Sequence, residues 1–196
     1  MSLQTRVQAI LTRPAEEWRI IAAEPADVAG LLRDYAAPLA AIPAVCRFIG
    51  FTLIGVSVPL LGTYRTGIVS GFVGAVVSWV MALVGAWIAA VIVEKLAPTF
   101  QSRGDTVQAM KLVVYAMTPV WVAGVLNIIP ALSVLVLLAA LYAIYLFYLG
   151  LPVLMNTPSN QVIPYMVVAA VVVIIVSFVL GLVAAAISGV GGYRTF

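Results

Sequence analysis

The sequence predicts an all-α fold: a polytopic membrane bundle of five transmembrane helices, preceded by short amphipathic helices. Three observations carry this. Charged residues are only 9% of the 196-residue chain and hydrophobic residues 64%, whereas a soluble domain has about a quarter charged residues. Residues 112–193 contain no Asp, Glu, Lys or Arg, and a spanning helix needs about 20 apolar residues. That stretch alone can hold three spans. The few turn signals divide the apolar remainder into two more.

Residues 1–35 form the one extended charged region, read as a cytosolic amphipathic helical segment. Leu3, Val7, Ile10 and Leu11 recur at helical spacing. Pro14 suits the first position of a second helix, with Glu16 and Glu17 in its first turn. Trp18, Ile21 and Ala22 share one face of that helix. Glu24-Pro25 interrupts the pattern, and Val28, Leu31 and Leu32 restart it. These helices are expected at the membrane surface or against the bundle. The segment lacks the apolar core of a secretion signal.

Residues 36–196 form the membrane domain. Span one is placed at about 36–61, with Pro38, Pro43 and Pro59 predicting kinks. Residues 62–66 read as a short loop. Span two is placed at about 67–93 and ends at Glu94-Lys95. A polar loop leads to span three, about 112–128, where Pro119 predicts a kink. Asn127 and Pro130 mark a tight hairpin into span four, about 131–151. An uncharged connector, 152–164, precedes span five at about 165–188. Lys and Arg concentrate in the N-terminal segment and in the loop between spans two and three. The positive-inside rule then puts the N-terminus in the cytosol and the C-terminus outside.

Small residues recur every fourth position. Gly74, Ser78, Ala82, Ala86 and Ala90 do so along span two, and Ser177, Gly181 and Ala185 along span five. Such stripes let backbones approach where lipid removes the hydrophobic drive between helices. Packing within one bundle is the plain reading, and a homo-oligomer contact is the sharper one.

Arg47 is the one charge well inside a span. A charge in the bilayer is costly and marks either function or a pairing. From a start near Ala36 it lies about 16 Å deep, and Tyr142 lies about 14 Å from the same side on span four. A candidate intramembrane polar site therefore joins Arg47 to Tyr142 and Tyr145, with Glu94 as an edge partner. The competing reading makes Arg47 a headgroup anchor.

The chemistry this chain excludes is broad. It has no histidine and a single cysteine, Cys46. The commonest general base and the commonest transition-metal ligand are missing. No nucleophile elbow, phosphate loop, metal motif or dinucleotide fingerprint occurs. No enzyme activity, cofactor or metal is expected. The dispersed basic residues, with a net charge of +3, do not suggest nucleic-acid binding. The expected partners are membrane lipids, further copies of the chain, and a protein partner that the sequence does not identify.

Several stretches have a familiar order: RPAEEWRIIAAE, DYAAPLAAIP, AMKLVVYAMTPVWVAGVLNIIP and LYAIYLFYLGLPVLM. In this order the chain resembles the Yip family of Ypt- or Rab-interacting membrane proteins, in its bacterial five-span form. The resemblance covers about residues 13–165. It implies five spans and a cytosolic N-terminus. Eukaryotic members are tied to small GTPases, vesicle traffic and membrane shaping, and their Asp-Leu-Tyr-Gly-Pro motif is matched here in part, by Asp34, Tyr35 and Pro38. The expected function is a scaffold or membrane-organising role in the bacterial inner membrane. The alternative is a transporter or channel for a small solute or ion, using the polar site around Arg47 and Tyr142.

Overall fold

A computed structural model of the protein describes residues 2–58 and 62–188, without the side chains of residues 56–58, 62–64 and 183–188. Helix α1 (Leu3–Thr12) is capped by Ser2, whose hydroxyl accepts from the Thr5 amide. Helix α2 (Pro14–Ala23) begins on Pro14, as the sequence predicts. Five helices long and apolar enough to cross a membrane follow: span one (Val28–Ile54), span two (Ile68–Phe100), span three (Thr106–Ile128), span four (Pro130–Leu154) and span five (Val162–Leu182). The helix of span five continues to Ser188.

Span one departs from its expected bounds of 36–61. It begins at Val28, where Asp27 caps the Gly30 amide at 3.1 Å. It ends at Gly55, whose φ of 84° is open mainly to glycine. Leu31–Ala36 is π-helical, and the helix resumes from Ala37 through Pro38 and Pro43. A wider turn beside the prolines accommodates backbone that an α-helix cannot bond regularly. The segment read as a loop at 62–66 instead contributes a strand. Residues Val56–Val58 (β1) pair antiparallel with Gly62–Tyr64 (β2), in the register Val56↔Tyr64. Its physical basis is the release of the backbone from the helix at Gly55. Pro59 lies outside the described residues.

Span three is discontinuous. Its first helix ends at Ala116, Thr118–Ala123 forms a second short helix on Pro119, and Gly124–Ile128 tightens into a 3₁₀ turn. Pro130 opens another 3₁₀ segment that starts span four. The hairpin expected at Asn127 and Pro130 is therefore built from two 3₁₀ turns.

Buried side chains gather in one half of the bundle. Trp18, Val93, Leu112, Leu146, Leu151, Met155 and Tyr165 are nearly or fully buried there. In the other half, Ile68, Val69, Phe72, Leu137, Leu141, Ile174 and Phe178 are exposed, as expected of surfaces that face lipid rather than water. The packed half is also the end where the connectors meet. The Arg103 amide donates to the Met155 carbonyl at 2.8 Å, and the Ser102 hydroxyl lies 2.8 Å from that of Thr157. The Tyr165 hydroxyl donates to the Val93 carbonyl, and its ring stacks on Phe100 at 4.8 Å.

Candidate functional site

The N-terminal helices pack against the bundle, and their inward faces carry charge. Arg6 and Ile10 lie one turn apart on α1, and both are buried. Glu17, Trp18 and Ile21 are buried on α2. The Pro14 turn folds the two helices together, so Arg6 donates through Nη1 to Glu17. Its Nη2 donates to both oxygens of Glu24 at 2.5 Å. Burial works against the Arg6 charge. The bond to Glu24 and the charges of Glu17 and Glu24 outweigh it and raise its affinity for the proton.

A second cation closes this arrangement from the membrane domain. Lys111 of span three is 2% exposed. Its ammonium donates to the carbonyls of Ile21 at 2.8 Å and Glu24 at 2.6 Å. These are backbone acceptors at the C-terminal end of α2, where a positive charge also meets the helix dipole favourably.

Beneath the ions lies an aromatic layer. The Arg6 guanidinium stands 5.9 Å from the ring centre of Tyr115. Trp18 meets that ring edge-on at 6.3 Å, and Tyr35 packs beside it at 4.4 Å. The Tyr35 hydroxyl is 2.8 Å from that of Thr118, at the break in span three. Arg6, Glu24, Asp27, Asp34, Tyr35 and Tyr115 all line one cleft of about 290 Å³. The cleft opens between the N-terminal helices and the start of span one.

The structure does not bring Arg47 and Tyr142 together. Arg47 points outward, with its guanidinium 5.3 Å from the ring centre of Phe51 on its own span. Tyr142 turns toward the protein and donates to the Leu11 carbonyl at 2.8 Å, tying the end of α1 to span four. Tyr145 lies 5.7 Å from Tyr142 by ring centres but is 48% exposed. The physical reason is rotation along a helix: successive three-residue steps fan the tyrosines apart. Glu94 does not serve Arg47. It accepts from the Thr106 hydroxyl at 2.8 Å and lies 3.5 Å from Lys95.

The remaining candidates have structural contacts. Pro119 sits buried at the start of the second helix of span three. The Asn127 carbonyl lies against Gly50, where an added Cβ would come within 2.2 Å of it. Of the span-two stripe, Ala86 and Ala90 are buried and Ala82 packs on the core. Ser78 bonds back to the Ala75 carbonyl at 2.9 Å. Gly74 and Gly181 have open space around them, and Ser177 is exposed. The side chain of Ala185 lies outside the described residues.

Sequence reading missed the Arg6–Glu17–Glu24–Lys111 cluster. A signal for its first members was present: Arg6 and Glu17 occupy the apolar faces of two consecutive helices. Opposite charges on facing apolar stripes predict a buried pair. Lys111 carried no such signal, because its partners are backbone carbonyls distant in the chain.

Neither a curated protein nor a solved structure matches the chain. The model of the Yip1 domain matches residues 9–181. That range takes in the end of α1 from Ala9, all of α2 and nearly all five spans, so the match covers the membrane bundle and part of the helical segment docked on it. The protein is a multi-pass membrane protein and belongs to the Yip1-domain family.

Proposed function

We infer that the protein is a non-enzymatic scaffold or membrane-organising protein of the bacterial inner (plasma) membrane, with its N-terminus in the cytosol and its C-terminus outside. The observation that carries this reading is the separation of the two polar groups best suited to a conduction path. Arg47 lies outward over Phe51, while the Tyr142 hydroxyl is used by the Leu11 carbonyl. The orientation is supported by the basic residues of the N-terminal segment and of the loop between spans two and three. Lys111, in the first helix of span three, ties that span to the N-terminal segment through its bonds to Ile21 and Glu24.

A transporter is the second reading, favoured by the break in span three. Discontinuous spans line substrate sites in many transporters, and here the break carries the Tyr35–Thr118 contact. Reconstitution separates the two. Proteoliposomes with the wild type or Arg47→Ala are assayed for flux of a broad set of ions and small solutes. Their shapes are recorded by electron cryomicroscopy at increasing protein-to-lipid ratio. The scaffold reading expects flux equal to protein-free vesicles and a change of vesicle shape with protein density. Solute flux in the wild type overturns it, and loss of that flux in Arg47→Ala would place the path at this residue.

A further inference from the structure

Among the described residues, the charge of the cleft beside α1 and α2 is unbalanced. Four carboxylates belong to it or back it: Glu17, Glu24, Asp27 and Asp34. Three cations face them. Arg6 serves Glu17 and Glu24, Arg33 serves Asp34, and Lys111 rests on the carbonyls of Ile21 and Glu24. Asp27 feels the charge of Arg33 but makes no direct ion pair with any cation among the described residues. One of its oxygens accepts from the Gly30 amide at 3.1 Å, which leaves acceptor capacity on the cleft side.

A second observation comes from the cleft floor. Tyr115 is 8% exposed. Its ring is engaged by Arg6, Trp18 and Tyr35. Its hydroxyl has no hydrogen-bond partner among the described residues, yet it is not among the sealed, unsatisfied atoms of the core. The hydroxyl therefore keeps some access, and Tyr115 is one of the residues that line the cleft. An unpartnered hydroxyl on a side chain this buried leaves room for a partner from the cleft, water or ligand.

We propose that this cleft binds a primary ammonium group, held between the carboxylates of Asp27 and Glu24 and the Tyr115 hydroxyl. The unmatched negative charge selects a cation. Three acceptors suit the three donors of a primary ammonium. A quaternary ammonium is disfavoured, because it is recognised by aromatic faces, and the Tyr115 ring already has its neighbours. The volume, about 290 Å³, is at the lower end for small-molecule sites. A lipid headgroup and a free amine both offer this chemistry.

The test uses the full-length protein in two arms. Calorimetry in phosphatidylglycerol nanodiscs measures binding of ethanolamine, with choline as comparison. Native mass spectrometry measures retention of phosphatidylethanolamine against phosphatidylcholine and phosphatidylglycerol. Asp27→Asn preserves the helix cap while removing the charge, and Tyr115→Phe preserves the ring while removing the hydroxyl. Asp105→Asn is the control, since Asp105 also caps a helix, at the Gln108 amide, but does not line the cleft. Saturable ethanolamine binding identifies a free-amine site, and selective retention of phosphatidylethanolamine identifies a headgroup site. In either case Asp27→Asn and Tyr115→Phe should weaken binding at least tenfold and Asp105→Asn should not. Absence of both signals overturns the proposal. So does equal binding of choline or phosphatidylcholine, unchanged binding in both cleft variants, or equal loss in the control.

Discussion

Arg6 donates to Glu17, eleven residues along the chain, with both side chains buried beneath the α1–α2 hairpin. The pair joins the two helices together with the bonds from Arg6 to Glu24 at the end of α2. It also holds charge where water cannot easily reach it. Removing one partner strands the other, which costs more than the pair contributes when intact.

Arg6→Ala should therefore destabilise the protein by about 3–5 kcal/mol, as expected when a buried pair loses one member. Arg6→Met combined with Glu17→Leu should recover most of that loss, since Glu24 is partly exposed and can rehydrate. Unfolding in detergent, compared among the wild type, the single variant and the double variant, measures both effects.

Two glycines should respond in opposite directions to the same substitution. Gly50→Ala drives a methyl into the Asn127 carbonyl of the span three–four hairpin and should cost about 1–3 kcal/mol through overpacking. Gly74→Ala meets open space within the helix of span two. It should be neutral, or stabilise by about 0.5–1 kcal/mol through helix propensity. Thermal unfolding of the two variants checks the contrast.

The Tyr35–Thr118 contact should behave as a coupled pair. Thr118 is fully buried, so Tyr35→Phe leaves its hydroxyl without that partner and should cost about 1–3 kcal/mol. Thr118→Val in the Tyr35→Phe background should cost less than Thr118→Val alone. A double-mutant cycle of unfolding free energies gives the coupling. Strict additivity would show that the bond contributes nothing.

Arg47→Leu should leave folded yield in detergent unchanged and alter stability by no more than about 0.5 kcal/mol, the range for surface substitutions. The side chain contacts Phe51 of its own span and faces outward. A large fall in yield would instead indicate an internal partner for the guanidinium.

Much of the architecture was legible because it follows from local chemistry. Pro14 predicts the start of α2, and the long uncharged stretches predict spans two, four and five. The start of span one was not legible in the same way. Arg33 and Asp34 argued for a region outside the span, whereas the helix begins at Val28 and keeps both exposed. The β1–β2 pairing escaped notice because apolar residues 56–61 continue the composition of the preceding helix. For the site, depth along a helix was readable, but direction around it was not. Arg47 and Tyr142 match in estimated depth while making unrelated contacts.

The sequence by itself determined that the chain is a five-span helical membrane protein, and where its charges concentrate. Those properties depend on hydrophobic length and on charge near span ends, both local sums over neighbouring residues. Only the tertiary structure decided which charges are buried together. Arg6, Glu24 and Lys111 meet because α1 and α2 fold back on span three. Side-chain direction and the approach of distant backbone carbonyls depend on helix rotation and packing, which no local pattern specifies.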